Sequence, residues 1–429
     1  MVRWLMIVAA IGWFVLPACA EEPTVSFRDL LQQAAAHNPA YQEALARWRA
    51  VREKENQTLG RLLPEANVNW SHRELEDRWK GGSNHNSIDT SKLEARQTIF
   101  DLARLREHQQ SRPLVRAAEQ DSILAKQTLH FQVAESSLQV LQARELLEIA
   151  RKKSTISVQH LENTRTRQQS GELTRTDLSQ ADSRQANAEA ERIEAEKNLH
   201  LAEQQFQELV TVPPPLRLDA PPALKLPPEV THPPAGKDLD LESLVAQRPD
   251  IRAADLRLQE GSLKIGAASA EHWPTANVTA GWQKVRDKDL ATKNYVYDDA
   301  YVLMEINLPL FNGGQTVSRE RQARAEQEAL AHNLEKMRRN AVKELQKAKE
   351  NRSAADNTVK AYRRAVQQAN EAMSGMEEEF RVGTRSSQDV LNAQNDYFTA
   401  QANLCRSRYQ LLLTEYELAR VIGLLDLPN

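Results

Sequence analysis

Aromatic side chains, cysteines and net charge are all in short supply in this chain, and each shortage excludes something. Phe, Trp and Tyr make up 5% of the 429 residues, which suits long helices better than a compact enzyme core. The formal net charge is -3, so there is no basic excess for binding nucleic acid. There are two cysteines, Cys19 and Cys405. If the N-terminal segment is removed, Cys405 is left alone and no internal disulfide can form. Beyond that segment no apolar run approaches the roughly 20 residues of a membrane-spanning helix. The ten histidines, among them His37, His130 and His332, are scattered without metal-ligand spacing. Asn312-Gly313-Gly314 lacks the Gly-Lys-Ser/Thr signature of a phosphate loop, and no Gly-x-Ser-x-Gly elbow occurs. Glu377-Glu378-Glu379 reads as a solvated helix face. Neither an enzyme nor a cofactor is expected.

What is present begins with a targeting segment. Arg3 precedes an apolar core from Trp4 to Leu16, and Ala18-Cys19-Ala20 offers small residues to a signal peptidase. Cleavage after Ala20 makes residues 1–20 a signal peptide. A lipoprotein signal with Cys19 lipidated and an uncleaved anchor are the rival readings. Both main readings export the chain.

The dominant feature is helical. From Ala355 through Val359, Tyr362, Val366, Ala369, Met373 and Met376 to Phe380, apolar residues recur in steps of three and four. This is the seam of a coiled coil. After the turn Arg381-Val382-Gly383-Thr384-Arg385-Ser386 a second seam runs from Val390 through Ala393, Tyr397, Ala400, Leu404, Ser407, Leu411, Thr414 and Leu418 to Val421. The pair reads as an antiparallel helical hairpin. Its first helix extends back to Thr316 without Pro, a rod of roughly 100 Å at 1.5 Å per residue.

The chain also repeats itself. Pro39 and Pro249 each open a helix, Pro64 and Pro274 each precede a strand, and Phe100 and Phe311 each end one. Gly171 and Gly383 each break a helical hairpin, and Asp177 and Asp389 follow those breaks. The shift between members of each pair is 210 to 212 residues, which marks an internal duplication. The expected organisation is a signal peptide (1–20), a first repeat (21–210), a Pro-rich linker (211–240) and a second repeat (241–429). Each repeat holds a helix, two strands and a helical hairpin. The linker carries nine of the 18 prolines, which excludes helix and leaves a flexible tether or a strap.

The strand segments alternate apolar with polar residues, as in Ala66 to Ser71 and Asn277 to Gln283. Val302, Met304, Ile306 and Leu308 share one face, while Arg96 and Gln97 blur the strand that ends at Phe100. A soluble half-buried sheet gives the same alternation. Each strand is expected to run about ten residues, enough to cross a bilayer at a tilt. Polar turns are expected over 76–90 and 286–299. Trp70 and Trp282 fall at equivalent places, as interface aromatics would. Four strands cannot close a barrel by themselves, because about eight are needed. Three chains would supply twelve.

Taken in order, these elements resemble the TolC-like outer-membrane channel proteins, the outer-membrane factor family. The resemblance is carried by the duplication, by Leu308-Pro309-Leu310-Phe311-Asn312-Gly313-Gly314, and by Val382-Gly383-Thr384-Arg385 followed by Asp389-Val390-Leu391. It covers nearly the whole mature chain. It implies a mainly α fold with a small β part, built as a homotrimer. A twelve-stranded barrel would lie in outer-membrane lipid of a Gram-negative bacterium, with a twelve-helix tube in the periplasm. Such proteins are passive exit ducts for small-molecule efflux or type I protein secretion. A periplasmic adaptor (membrane fusion protein) and an inner-membrane transporter of RND or ABC type open and drive them.

The resemblance also implies a gate at the helical turns. Arg385 matches a latch arginine, Thr176 and Asp177 its Thr-Asp partners, and Asp389 an aspartate of the lumen constriction. Phe380 stands where the pattern has a Tyr, and Asn392 where it has a second Asp. A weaker latch and a less charged mouth follow as expectations. Read as residues alone, Asp177 and Asp389 serve equally as first-turn caps, and Arg385 as an exposed turn charge. A periplasmic coiled-coil scaffold with soluble hairpins is the alternative to a duct.

Overall fold

The computed structural model describes residues 24–79, 82–210, 217–218, 221–222, 241–289 and 295–425. The signal segment with Cys19, and most of the Pro-rich linker, lie outside the described residues. The first repeat contains β1 (Thr24–Val25), α1 (Phe27–His37), α2 (Pro39–Gly60), β2 (Glu65–Trp79), β3 (Gly82–Phe100), α3 (Leu102–Gln169) and α4 (Arg175–Val210). After β4 (Arg217–Leu218) the second contains α5 (Leu241–Ala246), α6 (Pro249–Ala270), β5 (Thr275–Asp289), β6 (Tyr295–Asn307), α7 (Gln315–Arg381) and α8 (Ser387–Val421).

Local chemistry fixes the ends of these elements. Asn38 caps α2, its Oδ1 accepting from the backbone N–H of Ala40 (3.1 Å) and Tyr41 (3.2 Å), with Pro39 at the first helical position. Asp101 caps α3 by accepting from Arg104 N at 3.0 Å. At the strand-to-helix junction before α7, Gly313 and Gly314 take φ of 61° and 78°, the left-handed region that glycine enters without strain. The rods are as long as the seams indicate, 68 residues for α3 and 67 for α7. Helix α1 has no counterpart in the seam reading, although Leu30, Leu31 and Ala34 on its buried face carry a short helical spacing.

Within the chain the long helices lie side by side in the order α4, α3, α8, α7. Toward its C-terminal end the seam of α8 packs on α7, with Leu418 and Val421 in one cluster with Leu334 and Leu345. A second stripe on α8 runs through Leu391, Gln394, Phe398 and Cys405, all buried, and Cys405 Sγ lies 3.9 Å from the carbonyl of Gln142 on α3. Helix α8 is therefore covered on two sides.

Two apolar clusters mark the middle of the rods. One joins Leu30 and Ala34 of α1, Val133 and Leu138 of α3, Phe206 and Val210 of α4, and Tyr416 of α8. The other joins Val245, Ile251, Leu345 and Leu418 from α5, α6, α7 and α8. At this level the linker is a strap wherever it is described. Arg217–Leu218 pairs in parallel with Thr24–Val25, Pro221 is buried, and the Tyr416 hydroxyl donates to the Pro222 carbonyl at 2.7 Å. The chain end is held on α3, with Gln127 Nε2 donating to the Gly423 carbonyl at 3.1 Å and His130 Nδ1 lying 3.1 Å from that of Leu425.

The strands form one antiparallel sheet in the order β2-β3-β5-β6. Their register brings one face into rows: Ala66, Ala95, Ala280 and Val302, then Val68, Leu93, Trp282 and Ala300. Val68 on this face is 78% exposed and Val302 76%, so the apolar band has no cover among the described residues. The other face is polar, with Asn67, Glu94 and Tyr301 in one row. There the Tyr301 ring lies over Gly281, where a Cβ would approach it to 2.5 Å, and its hydroxyl donates to Glu94. Gln97, one of the residues that blur the pattern of β3, turns its amide to the carbonyls of Leu62 (2.9 Å) and Thr98 (2.8 Å) at the base of the sheet.

The strands are longer than expected, at 15, 19, 15 and 13 residues. Most of the segments expected as turns continue the ladder instead, as far as Trp79 opposite Gly82 and Asp287 opposite Tyr295. Their side chains are mostly polar, but ladder hydrogen bonds do not require an apolar face, and β-formers such as Thr90, Val296 and Tyr297 recur among them.

Candidate gate at the helical turns

The two turns between long helices share one backbone solution. At the end of α3, Glu172 N donates to the Arg167 carbonyl (2.9 Å) and Gly171 N to that of Gln168 (3.1 Å). At the end of α7, Thr384 N donates to Glu379 O (2.9 Å) and Gly383 N to Phe380 O (3.1 Å). Each is a Schellman motif with glycine at the left-handed position, φ 83° at Gly171 and 84° at Gly383. The next helix then opens with a reciprocal cap. Asp389 Oδ2 accepts from the Ser386 hydroxyl (2.8 Å) and Ser386 N (3.2 Å), while Asp389 N donates back to Ser386 Oγ (3.2 Å). Asp177 does the same with Thr174, at 2.7, 2.9 and 3.2 Å.

These bonds hold both aspartates below the usual carboxylate range, the hydroxyl contact being the larger cause in each. The capping role of Asp177 and Asp389 is thus present in the geometry. Arg385 Nε donates to Glu379 Oε2 at 2.7 Å, an ion pair within its own turn. Thr176 is exposed on the first turn of α4. Among the described residues Arg385 makes no hydrogen bond to Thr176 or Asp177 of the same chain. Asn392 accepts from Gln388 (3.0 Å) and, across the groove, from Arg184 of α4 (3.2 Å). Phe380 lies under the Arg167 guanidinium, 4.7 Å from ring centroid to Cζ, and 6.1 Å from the ring of His160.

Comparison with known proteins gives this geometry its context. The family described as outer membrane efflux protein matches residues 30–211 and 241–424. The chain belongs to the outer membrane efflux protein family. Outer membrane protein TolC of Vibrio cholerae is 24% identical over 425 residues, spanning 98% of this chain and 95% of that protein. The proteases secretion protein PrtF of Dickeya chrysanthemi is 26% identical over 386 residues, 87% of this chain and 83% of PrtF. The crystal structure of CusC superposes with a TM-score of 0.80 at 20% identity, covering 94% of this chain and 95% of that one. As an efflux-family protein the chain is an outer-membrane exit duct and not an enzyme, with its helical part in the periplasm. The bare apolar rows of the sheet are the lipid-facing surface of such a protein.

The seams and turn motifs do not reveal the polar contacts between the two hairpins of this efflux protein. Lys153 of α3 donates to Glu191 of α4 (2.7 Å) and to Asn395 of α8 (3.1 Å). His160 of α3 lies 3.0 Å from Ser387 at the start of α8. Polar residues at buried helical positions were the available signal, but sequence alone does not say which helix they meet.

Proposed function

We propose that three copies of this chain close one twelve-stranded barrel and one twelve-helix tube, which a periplasmic adaptor and an inner-membrane transporter open and drive. The observation that carries this reading is the pair of open sheet edges. Strand β2 has no partner on one side along 15 residues, nor β6 along 13, among the described residues. The apolar rows reach both edges. A strand edge with free N–H and C=O groups is not tolerated in hydrocarbon, so β6 of one copy pairs with β2 of the next.

The duplication supports the same closure in the helices. Within a chain the repeats meet through β3 with β5 and through α3 with α8. The equivalent contacts between copies are β6 with β2 and α7 with α4. This brings the turn after α7 beside the start of the neighbour's α4. Arg385 then faces Thr176 and Asp177 of the next copy, which accounts for the missing contact within one chain. Phe380 supplies no hydroxyl to that latch. Three copies of Asp389 converge on the axis, where like charges relieved only by water and cations hold cations, and Asn392 adds no charge there. The same duct serves small-molecule efflux or type I secretion, according to the transporter it meets.

Fractionation and conductance test the proposal. A heat-modifiable trimer extracted by detergent from the outer membrane is expected, and a salt-soluble periplasmic protein overturns it. In planar bilayers Arg385→Ala raises closed-state conductance, and Asp389→Ala reduces block by divalent and trivalent cations. Unchanged conductance and block in both variants would remove these residues from the gate.

A further inference from the structure

The contacts that join the two hairpins near the tip are not chemically alike. Arg184 with Asn392 and Lys153 with Asn395 pair a basic side chain with an amide (3.2 and 3.1 Å). The hydrogen-bonding contact nearest the turns involves a histidine, just below the stacking of Arg167 on Phe380. His160 Nε2 lies 3.0 Å from Ser387 Oγ, and the two residues are only 9% and 2% exposed. The Phe380 ring lies against the imidazole at 6.1 Å between centroids. One contact thus ties α3 of the first hairpin to both helices of the second.

We propose that the His160–Ser387 contact is a proton-sensitive clasp between the hairpins, closed while the imidazole is neutral and loosened by acid. The inference rests on the duct reading above, in which the bore widens only if the hairpins move relative to each other.

The surroundings set the direction. Of the charged groups on α3, α4, α7 and α8, Glu377 of α7 is the one that acts on the ring among the described residues. It favours the cation, but it is already engaged by Gln394 Nε2 of α8 at 2.9 Å. Helix α8 otherwise presents the uncharged Ser387. Arg167, further along α3, is held over Phe380 and paired with Glu172 at 2.9 Å. Burial outweighs Glu377 and pushes the His160 imidazole below its ordinary value. The contact therefore contributes fully while the ring is neutral, above the ordinary histidine value of about 6.5. Its contribution falls as pH drops from there toward the lowered value of the closed state. Each unit of difference between closed and open states is worth about tenfold per site, and a trimer holds three sites.

The test uses the purified full-length trimer in planar bilayers, with the periplasmic side stepped from about pH 7.5 to about 5.5, a window set by the ordinary histidine value. Wild type is expected to gain conductance about threefold or more, and His160→Gln to stay flat. Asp177 and Asp389, held below 3.8, do not titrate in this window. A flat wild-type response, or an equal rise in His160→Gln, overturns the clasp while leaving the duct intact. If His160→Gln does not assemble, Ser387→Ala carries the test. A raised conductance at the higher pH with a smaller step supports the clasp, and an unchanged step overturns it. Wild-type protein that forms no channel at either pH removes the duct reading and the clasp with it.

Discussion

The two repeats contain the same elements in the same order, yet each matched pair of strands or long helices has one member inside the chain's wall and one at its edge. Strand β5 has neighbours on both sides while its counterpart β2 has one; β3 is internal and β6 is an edge. Helix α8 is packed between α7 and α3, whereas α4 touches chiefly α3. The residues follow this difference. The seam that holds each hairpin together is kept: Val390, Ala393, Ala400, Leu411 and Leu418 of α8 stand where α4 has Leu178, Ala181, Ala188, Leu199 and Phe206. The second stripe is not kept. Leu391, Gln394, Phe398 and Cys405 correspond to Ser179, Asp182, Ala186 and Ile193. Cys405 is 1% exposed and Ile193 is 54% exposed. The join between repeats inside a chain thus contains a buried, largely apolar stripe, and the matching surface of α4 is more polar.

The turns differ in a related way. Their backbones match, but the turn acid Glu172 binds the helix base Arg167, whereas the turn base Arg385 binds the helix acid Glu379. Glycine and the caps preserve the bend, while the side chains leave tips of opposite sign.

The sharpest test of this contrast is a pair of truncations. Phe398→Ala on α8 is expected to cost about 3–5 kcal/mol per chain, read as a lowered midpoint in thermal unfolding followed by circular dichroism. Ile193→Ala on α4 should cost no more than about 0.5 kcal/mol. A loss at Ile193 comparable to that at Phe398 would mean that the α4 face is packed as tightly as the α8 stripe, and the distinction between the joins would fail.

Arginine in the apolar band comes next. Val302 on edge strand β6 and Ala280 on internal β5 lie in one row. If copies close a barrel in lipid, Val302→Arg and Ala280→Arg each cost up to about 2–4 kcal/mol, seen as loss of heat-modifiable trimer. A sheet face left in water would tolerate both substitutions, because Ala280 and Val302 are both exposed on it.

A smaller effect is expected at the turns. Ala at Gly171 or Gly383 meets open space but keeps a positive φ, so each should lose about 1–2 kcal/mol of local stability. Hydrogen exchange at the tips measures it, and unequal losses would break the equivalence of the bends. The smallest change is cap removal, with Thr174→Ala and Ser386→Ala costing about 1 kcal/mol each. The same caps predict the acid response of the tips. Because the carboxylates of Asp177 and Asp389 are held down in the folded state, their contribution is present above the ordinary value. It is lost only as pH falls through the lowered one. Tip protection should therefore persist at mildly acidic pH and vanish well below pH 3.8.

Most of the long helices, both glycine turns and the order of elements were legible in the sequence, because period, Pro and Gly act locally. Helix α1 was legible too, through Leu30, Leu31 and Ala34, but its short run is masked beside the Asn38-Pro39 signal. The strand ends were not, since polar residues such as Thr90 and Asp299 suit a loop and a solvated ladder equally well. Of the candidate gate residues, Asp177 and Asp389 could be recognised as caps from their spacing to Thr174 and Ser386. The contacts of Phe380 with Arg167, and of His160 with Ser387, could not. They join positions 213 and 227 residues apart, and helical period fixes a face without naming its partner.

By itself, then, the sequence determined the elements, their duplication and the residues that bend the chain, because those are consequences of backbone conformation and short-range hydrogen bonding. The tertiary structure decided which member of each duplicated pair is internal and which is an edge. That choice depends on how rods and strands pack side by side, where burial of a stripe such as Leu391, Phe398 and Cys405 stabilises one neighbour order over another. It also decided that the linker, where described, lies as a strap, through the Tyr416 hydroxyl and the Pro222 carbonyl.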